Sequence, residues 1–261
     1  MNDQAVLQSL PAFFLIFIRV ASFFVMVPIF SYRNIPNSVK IGLAFFLSWI
    51  MFFTLQPDPI SIDGMFFLLI IKETFVGLAI GMIAMILIYA VQVAGTFIDV
   101  KMGFAIASII NPVTGQRSPL IGNYLYMFAI LLLLAVNAHY MLLDGIYYSY
   151  QFIPLETLNI HFDSGSLAEL ATKSFVKMFV IAFQMAVPVV GCLFLVDIAL
   201  GIVARAVPQV NVFFVGMPVQ IMVSFIVLFI VMPLFMDLVY QLAGNIQTAM
   251  RDLMVIIGGG G

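Results

Sequence analysis

The fold class of this chain follows from one run, "MFFLLIIKETFVGLAIGMIAMILIYAVQVAG", at residues 65–95. Lys72 and Glu73 are the only charged residues in it. About 20 predominantly apolar residues are enough for a helix to cross a bilayer, and this run is longer. It lacks the strict alternation of apolar and polar residues that marks a membrane β-barrel strand. The run therefore predicts a membrane helix, in which every backbone polar group is satisfied within the segment.

The composition of the whole chain agrees with an integral membrane protein. Of its 261 residues, 64% are hydrophobic and 8% are charged, whereas soluble domains average about a quarter charged residues. The formal net charge is −2 without a basic run, which argues against a nucleic-acid binder. Cys192 is the single cysteine, so an internal disulfide and a multi-cysteine metal site are excluded.

Five further apolar runs resemble the first, and the chain is predicted to be an all-α integral membrane protein with about six hydrophobic helices. The N-terminus has no basic segment typical of a signal peptide, so the first run is interpreted as a retained span. The six runs cover residues 10–30, 39–55, 65–95, 121–143, 174–204 and 213–240.

The basic residues between these runs predict a topology. Arg33 and Lys40 lie between the first two runs, Lys101 and Arg117 between the third and fourth, and Arg205 between the last two. Short cytoplasmic connections carry an excess of Lys and Arg. These connections are therefore predicted to be cytoplasmic, with the N-terminus on the outer side.

Among the ionisable residues inside apolar runs, Arg19, Lys72, Glu73 and Asp197 are the candidates for a function. Each costs about 2.5–3.5 kcal/mol at the centre of a membrane helix, so each is a functional candidate. They can pair across helices, or they can couple ion movement to transport, and the sequence leaves both interpretations open. Lys72 and Glu73 point about 100° apart on a helix and are not expected to be each other's main partner.

No pattern in the chain indicates catalysis. His139 and His161 match no metal-ligand spacing, and no phosphate-binding loop or nucleophile motif occurs. We therefore expect neither an enzyme nor a cofactor. Gly77 and Gly81 form a GxxxG pair, which predicts close approach of another backbone from this chain or from a partner.

Two irregular stretches interrupt the apolar runs. "GFAIASIINPVTGQRSPLIG", residues 103–122, is too rich in Gly and Pro for one helix, yet its first half is as apolar as a span. Irregular backbone at membrane depth must be buried in protein or line an aqueous cavity, which suggests a gate. "RAVPQVNVFFVGMP", residues 205–218, is predicted to be a compact turn bounded by Pro208 and Pro218.

These stretches resemble the FliR family of flagellar biosynthetic proteins, whose injectisome relatives are called SctT. The pattern VP-x-x-N-x-F-x-x-G-M-P is matched within residues 207–218, and the six apolar runs fit along essentially the whole chain. The flagellar branch is the closer match. The resemblance implies a single FliR-like copy that assembles with FliP-like and FliQ-like subunits in the bacterial cytoplasmic membrane at the flagellar basal body, with an FlhB-like protein at the cytoplasmic entrance.

The resemblance also divides the chain and assigns its candidate site residues. It implies a single membrane domain with a FliP-like part at residues 1–172, a FliQ-like hairpin at 173–245 and a C-terminal tail at 246–261. Residues 103–122 would be the plug that closes the export channel, which moves them from the cytoplasm into the pore. The plug centre is matched by Ile109, Ile110, Asn111 and Pro112; the hairpin corner, where partners would bind, is matched by Pro208, Asn211, Phe213, Gly216 and Pro218.

Three functions are consistent with these features. The leading one is a non-enzymatic channel subunit through which unfolded flagellar proteins are exported. The second is an ion-coupled secondary transporter that uses the intramembrane charges. The third is a scaffold of the export apparatus that lines no pore.

Overall fold

The computed structural model describes residues 3–32, 34–104, 119–158, 164–207, 209 and 211–259. Side chains are described from residue 9 onward, except at 212 and 213. Within these ranges the chain forms helices and no strand. The helices are α1 (Asp3–Met26), α2 (Pro28–Ser31), α3 (Asn37–Leu55), α4 (Gly64–Lys101), α5 (Leu120–Ala135), α6 (Ala138–Phe152), α7 (Ser164–Ala206) and α8 (Val212–Gly258).

Five of these helices are long and apolar enough to cross a membrane, and the broken pair α5 and α6 makes a sixth if it is counted as one span. The prediction of an all-α membrane protein with about six hydrophobic helices is confirmed. The second run matches best, since α3 covers almost the same residues as the predicted span.

Two predicted runs are broken, and each break has a local cause. The first run ends as a helix at Met26, because Pro28 disfavours helical backbone at Val27, which is extended. The fourth run, predicted as one span over 121–143, breaks at Asn137, which adopts a left-handed conformation with φ of 60°. Asn tolerates this conformation better than other non-glycine residues.

The last two helices are much longer than the sequence runs predicted. The 43 residues of α7 and the 47 residues of α8 correspond to about 65 Å and about 70 Å of helix. Both lengths are more than twice the thickness of the hydrocarbon core, about 30 Å. Most of the predicted C-terminal tail, up to Gly258, is the end of α8.

Two compact units divide the chain, and long helices contribute to both. The first unit contains Met1–Leu87, Asn137–Phe175 and Ala243–Gly261, and the second contains Ile88–Val136 and Val176–Leu242.

In the first unit, α1 packs directly against the glycine pair of α4. A Cβ atom at Gly77 would collide with the backbone oxygen of Arg19 and lie 2.9 Å from the Cβ of Ser22. One at Gly81 would lie 2.7 Å from the Cβ of Met26. The partner of the GxxxG pair is therefore α1 of this same chain.

In the second unit, the end of α4 packs equally closely against the start of α5. A Cβ atom at Gly95 would collide with the Cα of Gly122, and one at Gly122 would lie 3.2 Å from the backbone oxygen of Gln92. The two helix backbones are in contact without intervening side chains.

Burial differs sharply among the long helices although their hydropathy is similar. The most apolar windows of α4, α7 and α8 have mean hydropathies of 2.4, 2.5 and 2.6, but 67%, 17% and 11% of their residues are buried. α4 is therefore a core helix of this chain. α7 and α8 present apolar side chains outward, to lipid or to other subunits.

We expect Gly77→Leu to destabilise the first unit by about 1–3 kcal/mol, because the added side chain meets backbone that cannot move aside. Gly42→Leu is the matched control, since a Cβ at Gly42 meets nothing within 4 Å. The thermal unfolding midpoint of the purified protein measures both variants. Equal midpoints would show that the α1–α4 contact is not close-packed.

Candidate functional site

The four intramembrane charges lie in two clusters, one in each compact unit. Arg19, Lys72 and Glu73 meet in the first unit, at the contact of α1 and α4. Asp197 lies in the second unit, where it pairs with Lys101.

Glu73 and Arg19 form a bidentate ion pair that is fully buried. The Nε of Arg19 donates to one carboxylate oxygen of Glu73, and its Nη2 donates to the other at 2.9 Å. Nη1 donates to the hydroxyl of Ser149 and Nη2 also donates to the backbone oxygen of Ile153, both at 2.9 Å. The ring of Tyr150 lies against the guanidinium, with its centroid 4.0 Å from Cζ. Arg19 therefore connects α1, α4 and the end of α6.

Lys72 holds the segment that follows α6. Its ammonium donates to the backbone oxygens of Pro154 at 2.5 Å, Leu155 at 3.2 Å and Thr157 at 2.9 Å. It also lies 3.0 Å from a carboxylate oxygen of Glu73. The neighbours Lys72 and Glu73 do form an ion pair, but each has other partners that hold it in place.

The cluster contains two cations and one anion, all nearly inaccessible to water. Arg19 and Glu73 are 0% exposed and Lys72 is 4% exposed. Backbone oxygens offset the excess positive charge, since their dipoles point at the ammonium and the guanidinium. Such a cluster tolerates the loss of a partner poorly, because an unpaired buried charge costs several kcal/mol.

In the second unit, Asp197 joins three helices. One carboxylate oxygen accepts from the ammonium of Lys101 at 2.5 Å, and the other accepts from the side-chain amide of Gln220. These residues belong to α4, α7 and α8. The Lys101 and Asp197 side chains are each one-third exposed, so this cluster is accessible from outside the chain.

Asp99, near the end of α4, binds the start of α5. This contact and the contact of Gly95 with Gly122 bring together the two ends of the irregular stretch, and are called its neck. The two carboxylate oxygens of Asp99 each accept a hydrogen bond of 3.0 Å, from the backbone N–H groups of Ile121 and Gly122 at the start of α5. Pro119 precedes that helix and provides no side-chain cap, so Asp99 supplies the cap from another helix. Asp99 is 4% exposed. It was not among the predicted site residues, because a cap contributed from another helix leaves no local signature.

The predicted plug centre, Ile109 to Pro112, lies outside the residues that the structure describes. On its N-terminal side the described residues include Gly103, which has a φ of 82°. On its C-terminal side they resume at Pro119, which precedes α5.

The hairpin corner is shorter than predicted. α7 ends at Ala206 and α8 begins at Val212, so the prediction that Pro218 bounds the turn is wrong. Pro218 lies inside α8. The backbone oxygen of Asn211 accepts from the N–H groups of Phe214 and Val215, which starts that helix.

Gly216 faces α7. A Cβ there would lie 3.0 Å from a terminal methyl group of Leu200, and this methyl group can move. Pro208 and the side chain of Phe213 lie outside the described part of the chain.

Among the described residues, no group of three or more His, Cys, Asp or Glu side chains is placed to bind a metal ion.

Comparison with known proteins decides the family. The model for bacterial export proteins, family 1, matches residues 10–246. The chain is also 49% identical to the flagellar biosynthetic protein FliR of Bacillus subtilis strain 168, over 98% of this chain and 99% of that protein. The chain belongs to the FliR family of bacterial export proteins.

More distant FliR proteins match along most of their length. Flagellar biosynthetic protein FliR of Escherichia coli K12 is 28% identical over 95% of this chain and 94% of its own. The protein of the same name from Aquifex aeolicus strain VF5 is 26% identical over 84% of each chain. The similarity therefore extends across both compact units.

Membership of the FliR family gives the chain a role in bacterial protein export, in a family of export components and not of known enzymes. With five or six helices able to cross a membrane, the predicted multi-pass location in the bacterial cytoplasmic membrane at the flagellar base is confirmed.

We expect Glu73→Gln to lower the free energy of unfolding by about 3–5 kcal/mol, because Arg19 and Lys72 would remain buried without their anion. Glu169→Gln is the matched control: Glu169 pairs with Lys173 on an exposed helix face and contributes little. Thermal unfolding of the FliR-family chain in detergent compares the two. Equal shifts would contradict a stabilising role for the buried cluster.

Proposed function

We propose that this chain is a subunit of the flagellar type III protein export gate, where it forms the export channel together with FliP-like and FliQ-like subunits. An FlhB-like protein binds at the cytoplasmic entrance, and unfolded flagellar proteins pass through. The observation that carries the proposal is the near full-length similarity to FliR of Bacillus subtilis.

The lengths of α7 and α8 favour an assembly over a solitary protein. Their apolar windows are largely unburied within the chain, and each helix is more than twice as long as the hydrocarbon core is thick. Lipid tails can cover only about 30 Å of such a helix. The remaining apolar surface needs cover from protein, which FliP-like and FliQ-like helices would supply.

The neck geometry supports residues 103–122 as the channel plug. Asp99 and the contact of Gly95 with Gly122 hold the two ends of the stretch together. A segment whose ends are fixed to a packed helix pair can occupy a pore without losing its attachment. Within it, Ile109, Ile110, Asn111 and Pro112 are the proposed residues of the seal, and the apolar side chains of the two isoleucines and the proline would exclude water from a narrow channel.

We place partner contacts at the corner between α7 and α8, at Pro208, Asn211, Phe213, Gly216 and Pro218. The neighbouring Phe214 is 75% exposed. An aromatic side chain this exposed is typical of a surface that a partner covers. A FliQ-like subunit or the FlhB-like protein would cover this surface in the gate.

Ion-coupled transport is the second candidate, and the charge clusters argue against it. Arg19, Lys72 and Glu73 each have several fixed partners within the first unit, as expected for groups with structural tasks. A transporter would move solute as a purified single chain in vesicles, whereas a gate subunit would not.

Deleting residues 106–115 from the chain in the complete gate should make the membrane permeable to ions and small molecules, because the proposed seal is lost. The measurement is dye or ion leakage in cells that express all gate subunits, with gate assembly checked by co-purification. Glu169→Gln serves as the control, because Glu169 lies on an exposed helix face outside the proposed plug. An assembled gate that remains tight after the deletion would refute the plug.

A photoreactive residue at Ile110 separates a pore-lining subunit from a scaffold. With an export substrate arrested in the gate, we expect a covalent adduct between Ile110 and the substrate. The control places the same group at Ile62, which is 72% exposed and precedes α4. Adducts at neither position, in a gate shown to hold substrate, would favour the scaffold.

A further inference from the structure

An apolar groove with a volume of about 720 Å³ lies in the second unit, between the last turns of α4 and the middle of α7. α4 contributes residues from Thr96 to Lys101. α7 contributes residues from Phe183 to Phe194 at spacings of three and four, which form one helix face. Ala186 is 1% exposed and forms the floor, whereas Phe183 and Phe194 are 63% and 57% exposed at the rim.

The length of the groove matches one leaflet of a bilayer. The separation of Phe183 and Phe194 along α7 corresponds to about 16 Å at 1.5 Å per residue. One leaflet contributes half of the hydrocarbon core, or about 15 Å.

Opposite charges lie at one end of the groove. Lys101 lines it, with its ammonium 5.9 Å from the ring centroid of Phe194. Asp197 accepts from that ammonium and from Gln220. An ammonium has three protons and a carboxylate has about four acceptor positions, so the contacts within the described part of the chain leave both groups capacity for a further polar partner. Each side chain is one-third exposed, so such a partner can reach it.

We propose that this groove binds a phospholipid whose zwitterionic headgroup ends in a primary ammonium. One acyl chain lies along α7 between Phe183 and Phe194. The phosphate binds Lys101, and the headgroup ammonium binds Asp197. A purely anionic headgroup would place its charge beside the Asp197 carboxylate, and an apolar partner helix would desolvate the Lys101–Asp197 pair without replacing its water contacts.

Two glycines of α7 provide a matched pair of variants. A Cβ atom at Gly191 or at Gly201 meets nothing within 4 Å, so a side chain can begin at either position without a clash at its first carbon. Gly191 lines the groove and Gly201 does not. Gly191→Phe therefore fills the groove, while Gly201→Phe changes an exposed position on the same helix.

The test uses the full-length chain, reconstituted in equal amounts of phosphatidylethanolamine, phosphatidylglycerol and phosphatidylcholine, then extracted and weighed by native mass spectrometry. We expect retained phosphatidylethanolamine to exceed each of the other lipids by about tenfold, as one further charge-assisted hydrogen bond gives. Gly191→Phe should lose this lipid and Gly201→Phe should keep it. Equal retention of the three lipids, or the same result for both variants, would overturn the proposal.

The charged end of the groove is tested separately with the double variant Lys101→Met and Asp197→Met. It should still bind a lipid, because the apolar lining is unchanged, but its preference for phosphatidylethanolamine should disappear. A preference that persists would show that the two charges do not read the headgroup.

A photoreactive residue at Val187, which lines the groove and is 41% exposed, tests the occupant in the assembled gate without filling the groove. A lipid adduct supports the proposal. An adduct with a protein segment would show that the groove holds a partner helix and would overturn it.

Discussion

The buried ion pair between Arg19 and Glu73 is the constraint on which the first unit depends. Two charges without access to water are tolerable only when they are paired with good geometry, and here Arg19 holds both carboxylate oxygens of Glu73, the hydroxyl of Ser149 and the backbone oxygen of Ile153. Because the partners of Arg19 come from α4, from α6 and from the residue after it, one side chain fixes how α1 meets these elements. The close packing of Gly77 on the backbone of Arg19 is part of the same arrangement, since a larger residue there would collide with that backbone.

Polar contacts and apolar surface are distributed differently in the second unit. Its charged residues connect helices, through Asp99 at the start of α5 and through Asp197 between Lys101 and Gln220. Its apolar side chains on α7 and α8 mostly face outward. Specific polar contacts therefore fix the arrangement of the helices within this unit, and a large apolar surface remains unburied. Such a chain is suited to an assembly within a membrane.

Hydropathy predicted the helices well and their ends poorly. Lipid leaves helices as the only structure for continuous apolar runs, so six runs were enough for the fold class. The break at Asn137 depends on one residue in an otherwise apolar run, and the full lengths of α7 and α8 depend on polar residues that helices also accept. The partners of the buried charges were harder still to predict. Arg19 and Glu73 are 54 residues apart, so the sequence could show that each charge is costly to bury but not that the two pair with each other. The Gly and Pro content marked both irregular stretches as a possible gate and a turn, but their proposed assignments as a plug and as a partner-binding corner came only from the family resemblance.

The cap that Asp99 places on α5 also has an order in time. Asp99 precedes the two N–H groups that donate to it by only 22 and 23 residues, whereas Arg19 must wait for Ser149 and Ile153, which lie 130 and 134 residues later. Contacts between nearby residues form at a smaller entropic cost than distant ones. During synthesis from the N-terminus, the neck can therefore close while the ribosome is still making α6, and the buried charge cluster completes only afterwards. The two ends of the irregular stretch would then be held together before the rest of the first unit is complete.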